Sequence, residues 1–173
     1  MTTTGLSKSK YVAFCQCPKL LWLSQNLREE ETPSPKTESI LANGRSVGEL
    51  ARTYFPNTID ATVTHEDGTP NITAMLARTR ELMESGAEVI AEAAFNYEGT
   101  YCAVDMLRRS GSGWVIYEVK STTADSSEDQ SEEKRNEQVH TIDIAYQRWV
   151  LEQCGINVVG THLLALDKTY RMG

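Results

Sequence analysis

Three residues in the middle of the chain, Asp105, Glu118 and Lys120, have the types and spacing that phosphoryl transfer needs. Residues 101–108 alternate as a strand does, residues 114–119 are rich in β-branched and aromatic side chains, and Ser110-Gly-Ser-Gly113 between them reads as a hairpin loop. Folding about a centre near Gly111-Ser112 brings Asp105 and Glu118 out opposite one another. Two like charges on paired strands destabilise a sheet unless a positive charge sits between them, and a divalent cation is the usual occupant. Strand alternation puts Glu118 and Lys120 on one face and Val119 on the other. One side of the hairpin then offers two oxygen ligands to a hard cation, with an ammonium one strand step away. The cation polarises a phosphate and lowers the pKa of a bound water, while Lys120 positions that water or neutralises charge developing at phosphorus.

The elements around this hairpin must hold it. Residues 89–97 read as a strand leading into it through a turn at Glu98-Gly99, which completes a three-stranded antiparallel meander. Before the meander, apolar spacing predicts helices over 39–55, closed by Pro56, and over 72–85, ending at Gly86, with a short extended piece near 59–63 between them. At the start of the chain, 6–27 predicts two short helical pieces around Cys17-Pro18, the first capped in the Ser7-Lys-Ser-Lys10 run. Tyr11 and Trp22 in them are expected in the core rather than stacked on a ligand. Residues 28–38, acidic and holding Pro33 and Pro35, read as a loop. After the meander, 124–138 is expected to be a mobile acidic loop, then a helix over 139–154 ends at Gly155 and a strand returns over 157–166.

A chain of 173 residues accommodates one domain with a real core. Its 40% hydrophobic and 24% charged residues are those of a globular protein. No apolar run is long enough to span a bilayer and the polar N-terminus has no signal-peptide pattern, so no membrane partner and a cytoplasmic location are expected. The net charge of −7 is the wrong sign for holding nucleic acid through the overall field, though local basic residues and a bound metal can reverse it where a phosphate sits. The four scattered cysteines, Cys15, Cys17, Cys102 and Cys154, are read as reduced thiols.

An Asp, a hairpin's span, then Glu-x-Lys is the arrangement of the PD-(D/E)XK nucleases. The likeness becomes specific at Leu6-Ser-Lys-Ser-Lys-Tyr11 with Cys17-Pro-Lys-Leu-Leu-Trp22, at Gly44-Arg-Ser-Val-Gly-Glu-Leu-Ala-Arg52, at Val104-Asp105 with Tyr117-Glu-Val-Lys-Ser-Thr122, and at Asp143-Ile-Ala-Tyr-Gln147. Together these resemble the RecB-like branch, especially its CRISPR-associated exonucleases and an uncharacterised bacterial family with such a domain at its N-terminus. The resemblance spans nearly the whole chain. It implies an α/β fold with the restriction-endonuclease-like αβββαβ core, a mixed central sheet flanked by helices, as a single domain over 1–173. Relatives of this kind continue beyond the point matching Gly173, so a truncated or minimal version is expected.

The resemblance also implies roles. Asp105 and Glu118 would bind Mg²⁺ or Mn²⁺, Lys120 would be the catalytic lysine, and Gln147 matches a glutamine in the helix after the sheet. That motif has Tyr four residues on, where Leu151 stands here. RecB-like relatives often carry a metal-binding His where this chain has Gly48, so the adjacent Glu49 is the metal candidate, with an exposed helix carboxylate as the equal alternative. The C-terminal cysteine cluster that helps hold an iron–sulfur centre in the CRISPR-associated relatives is absent, and the spacing of the four cysteines argues against such a cluster.

His140, Asp143 and Gln147 fall at i, i+3 and i+7, a polar stripe that either faces the site or is solvated. Lys8, Lys10, Lys19, Arg45 and Arg52 lie where RecB-like proteins approach DNA, yet a solvated basic surface is the plainer reading. His65 reads as a turn residue and His162 as structural. The function expected is metal-dependent hydrolysis of phosphodiester bonds in DNA, on single strands or ends. The alternatives are a catalytically silent nuclease-like module that binds a protein partner through its acidic surface, or a salt-bridge group on an unrelated domain.

Overall fold

The computed structural model describes residues 5–27, 35–123 and 130–166, of which 35–42 and 130–136 are given as helical backbone. The order is β1 (Leu6–Ser7), α1 (Lys8–Gln16), α2 (Pro18–Asn26), α3 (Pro35–Tyr54), β2 (Thr58–Asp60), α4 (Ile72–Glu84), β3 (Val89–Tyr97), β4 (Thr100–Ser110), β5 (Gly113–Thr123), α5 (Gln130–Gln153) and β6 (Val158–Leu166). The protein is α/β, with one mixed six-stranded sheet ordered β2-β3-β4-β5-β6 and β1 added on β4. Strands β3, β4 and β5 form the antiparallel meander, while β2 joins β3 and β6 joins β5 in parallel. The turn between β3 and β4 has φ +46° at Glu98 and +84° at Gly99, the two left-handed residues that match the twist of the strands it joins.

The sheet is covered on both faces. The larger cluster packs Ile90, Val104, Leu107 and Ile116 of the meander against Val150 and Leu151 of α5. Full burial of each such side chain contributes roughly 2 kcal/mol. The smaller cluster sets Val89, Ala91 and Met106 against Phe55, which follows α3, with Tyr117 and Val119 beside them. No helix among the described residues is long and apolar enough to cross a membrane.

Three expectations are corrected. Helix α3 starts at Pro35 rather than residue 39, because proline is pre-organised for the first helical position. Helix α5 starts at Gln130 rather than 139, so 130–138 are helix and not part of a loop, while 124–129 lie outside the described residues. The run is acidic but built from Gln, Glu, Lys and Arg, strong helix formers that extend a helix already anchored by its packed half. Trp22 is not core: it is 58% exposed, with Phe14 and Leu20 exposed beside it. Helices α1 and α2 have no buried residue, and α1 meets α5 where Tyr11 stacks on Tyr146 at 5.0 Å.

Candidate active site

The sheet forks at Asp105. Pairing of β4 with β5 runs from Ser110↔Gly113 to Met106↔Tyr117 and stops, leaving Asp105 and Glu118 opposite each other at the first unpaired step. Farther along the same edge β1 takes over, pairing Leu6 with Thr100 and Ser7 with Tyr101. Strand β3 occupies the other edge of β4 over its paired length, but there too the ladder skips one step, between Ala91↔Met106 and Ala93↔Val104. Ala91 and Met106 pack in the smaller cluster and Ala93 and Val104 in the larger, so both strands turn over together at Glu92 and Asp105. Glu92 takes φ +54° to do so, a strained conformation for a residue with a Cβ. The half-buried Asp105 carboxylate caps the loosened strand, its Oδ2 accepting the Val119 N–H at 2.7 Å.

Glu118 points to the α5 side and is 1% exposed. Its Oε1 accepts from Lys120 Nζ at 2.5 Å and its Oε2 from Gln147 Nε2 at 2.6 Å. Lys120 Nζ also donates to Asp143 Oδ2 at 2.9 Å, and Gln147 Nε2 to Asp143 Oδ1 at 3.1 Å. The stripe His140, Asp143 and Gln147 is therefore not a solvated face. Asp143 and Gln147 are buried against the meander, and His140 is half-buried with its imidazole held below its usual pKa by burial and by the Lys120 charge.

Lys8 is the further member. Its ammonium lies 3.3 Å from Glu118 Oε1, 3.2 Å from Glu118 Oε2 and 3.3 Å from Asp143 Oδ1. It is a site cation and not part of a solvated basic surface. Burial would lower the Lys8 pKa, but the Glu118, Asp105 and Asp143 charges overcome this and raise it. Burial, then the Asp105 charge, push the Glu118 carboxyl up against the pull of Lys8 and Lys120. Burial works on Asp143 in the same sense, yet the two ammoniums hold it below the usual carboxylate range.

No family model, no curated protein and no solved structure matches the chain.

The remaining residues fall around this cluster. Glu49 is exposed on α3, its carboxylate 3.9 Å from Arg52, and lines a groove of about 520 Å³ with Gly44, Gly48, Glu92 and Asp105. Arg52 ties Asp60 at 2.5 Å and reaches Glu92 at 3.9 Å. Glu92 is pushed up to about 7 by burial and by Asp105, with Arg52 opposing. Its signal in the sequence was a lone acid inside the apolar strand Val-Ile-Ala-Glu-Ala-Ala-Phe95, whereas nothing local distinguished Lys8 from Lys10. His162 lies tilted against Tyr117 with ring centroids 5.1 Å apart, and the exposed His65 lies in the turn before α4. Cys15 and Cys17 are exposed, while Cys102 is buried in the core.

Among the described residues no group of three or more His, Cys, Asp or Glu side chains is arranged to hold a metal ion. Asp105 and Glu118 supply two carboxylates. That number fits magnesium, which keeps several of its waters and is held by one or two carboxylates together with substrate phosphates, and it does not fit a cation needing a full protein cage.

Proposed function

We propose that the chain is a metal-dependent nuclease of the RecB-like PD-(D/E)XK kind, with a restriction-endonuclease-like core, hydrolysing phosphodiester bonds in DNA single strands or ends. The observation that carries this reading is the bridge made by Lys120 between Glu118, two residues before it on β5, and the Asp143 carboxylate of α5, with Asp105 opposite Glu118 at the fork. The order α4-β3-β4-β5-α5-β6, with β6 parallel to β5, is the αβββαβ succession such a core requires.

A divalent cation held by Asp105 and Glu118 would supply charge neutralisation at the phosphate and acidify a water. Lys120, placed between Glu118 and Asp143, remains an ammonium and so acts as a hydrogen-bond donor and positive charge, not as a base. It orients the attacking water and stabilises charge on the phosphoryl oxygens. Water adds to phosphorus, one P–O ester bond breaks, and the leaving oxygen takes up a proton. Gln147 and Asp143 hold Glu118 and Lys120 in place. By formal charge the three acids Asp105, Glu118 and Asp143 against Lys8 and Lys120 leave one negative charge, which a divalent ion would turn into one positive charge, a match for one phosphodiester.

The test is cleavage of end-labelled single- and double-stranded DNA with Mg²⁺ or Mn²⁺ by the parent, Asp105→Ala and Lys120→Ala. The expected result is cutting by the parent and a loss of at least about a hundredfold in each variant. Equal cutting by all three would remove the site assignment. A folded parent that cuts nothing would favour the silent module.

A further inference from the structure

We propose that Lys8 is the resident counter-ion of Glu118, a tethered ammonium that a divalent cation displaces from that carboxylate when the site loads. The proposal rests on the metal-dependent reading above and names how this chain controls access to that site.

Glu118 has no acceptor position to spare. Lys8 contacts both of its oxygens, Lys120 takes Oε1 and Gln147 takes Oε2. A carboxylate offers about four lone-pair directions, so a cation can bind only where a donor leaves. The Lys120 and Gln147 contacts are 2.5 and 2.6 Å, whereas those of Lys8 are 3.3 and 3.2 Å. Lys8 is the partner held most loosely, and the near-equal distances put its ammonium astride the carboxylate as a bound cation would stand. On leaving Glu118 it keeps Asp143 Oδ1, 3.3 Å away, and so stays at the edge of the site.

The N-terminal segment is built to bring Lys8 there. It is the first residue of α1, whose N-cap Ser7 accepts from the Lys10 N–H. A positive charge at that end opposes the helix dipole, so local preference does not explain it. Tertiary anchors do. The parallel pairing of β1 with β4, the Leu6 N–H to Gly99 carbonyl bond of 2.8 Å, the Tyr146 hydroxyl donating to the Leu6 carbonyl at 2.5 Å and the Tyr11–Tyr146 stack all fix the residues flanking Lys8. Gly5 is required here, since a Cβ on it would lie 2.6 Å from the Gly99 carbonyl oxygen. This competition sets a threshold: the site loads only where divalent cation outcompetes an ammonium tied to the same chain.

Mn²⁺ binding, measured by calorimetry on the full chain without nucleic acid, decides the matter for the parent, Lys8→Met, Lys8→Gln and Glu118→Gln. The expected result is Mn²⁺ binding about tenfold tighter in both Lys8 variants and lost in Glu118→Gln. A second readout needs no variant: acetylation of the Lys8 amine, followed by mass spectrometry on the parent, should speed up as Mn²⁺ is added. Binding in the Lys8 variants no tighter than the parent's, or Lys8 acetylation unchanged or slowed by Mn²⁺, overturns the exchange while the metal reading stands. Absence of Mn²⁺ binding in the parent and in both Lys8 variants removes the metal reading itself, and the exchange with it.

Discussion

The ammonium of Lys120 stands 2.9 Å from the Asp143 carboxylate, across the gap between strand β5 and helix α5. A strand residue and a helix residue twenty-three positions apart thus share one charge contact, and the same carboxylate also takes Lys8 and Gln147. Asp143 is the joint through which α5 orients the site lysine. Asp143→Asn keeps the shape and removes the charge. Its kcat should fall by about a hundredfold with KM little changed, as expected when a reacting group is misplaced rather than lost. Circular dichroism would establish that the variant is folded, and a folded variant with parental kcat would show that Lys120 is held by Glu118 alone.

Glu92 makes stability depend on pH. Its folded pKa of about 7 lies above the ordinary carboxyl value, the result of burial and of Asp105 facing it. The folded state therefore binds this proton more tightly than the unfolded chain does, and the associated stability is lost as pH rises from the ordinary carboxyl range through about 7. Glu92→Gln cannot ionise and escapes that loss. Melting temperatures taken at pH 5 and pH 8 should show the variant gaining on the parent at the higher pH. A gap between the two proteins that does not change with pH would mean that Arg52, 3.9 Å away, already compensates the charge.

The meander was legible because period-2 alternation, β-branched residues and turn glycines all agree over 89–119, and the hairpin arithmetic that set Asp105 against Glu118 follows from the turn centre alone. The split of the N-terminal helices at Cys17-Pro18 was legible for the same kind of local reason, a proline that starts α2. What stayed hidden depends on non-local geometry. The contact of Lys8 with Glu118 spans 110 residues and arises only when β1 takes the edge of β4 that β5 gives up. The double turnover at Glu92 and Asp105 keeps the pairing register intact, and because both faces of the strands are buried around it, apolar residues stand on either face and leave the turnover unmarked. The exposure of Trp22 likewise depends on what α2 fails to meet, which an amphipathic pattern does not encode.

Among the described residues a groove lies open beside Asp105 at the fork. On the other side Glu118 is closed off by Gln147 and Asp143 of α5 and by Lys8. On the nuclease reading a substrate strand would reach the carboxylates across α3, where Gly44 and Gly48 line the groove one helical turn apart. A Cβ added at either would have nothing within 4 Å, so no packing among the described residues asks for glycine there. Each costs a helix interior about 1 kcal/mol relative to alanine. Stability and function should consequently move apart at this position. Gly48→Ala should raise the melting temperature by the equivalent of up to about 1 kcal/mol and cut DNA much as the parent does. Gly48→Leu, which projects a branched side chain into the groove, should keep its fold and its Mn²⁺ affinity while KM for single-stranded DNA rises about tenfold, a loss of roughly 1.4 kcal/mol in binding. Parental KM in Gly48→Leu would mean that the strand enters elsewhere.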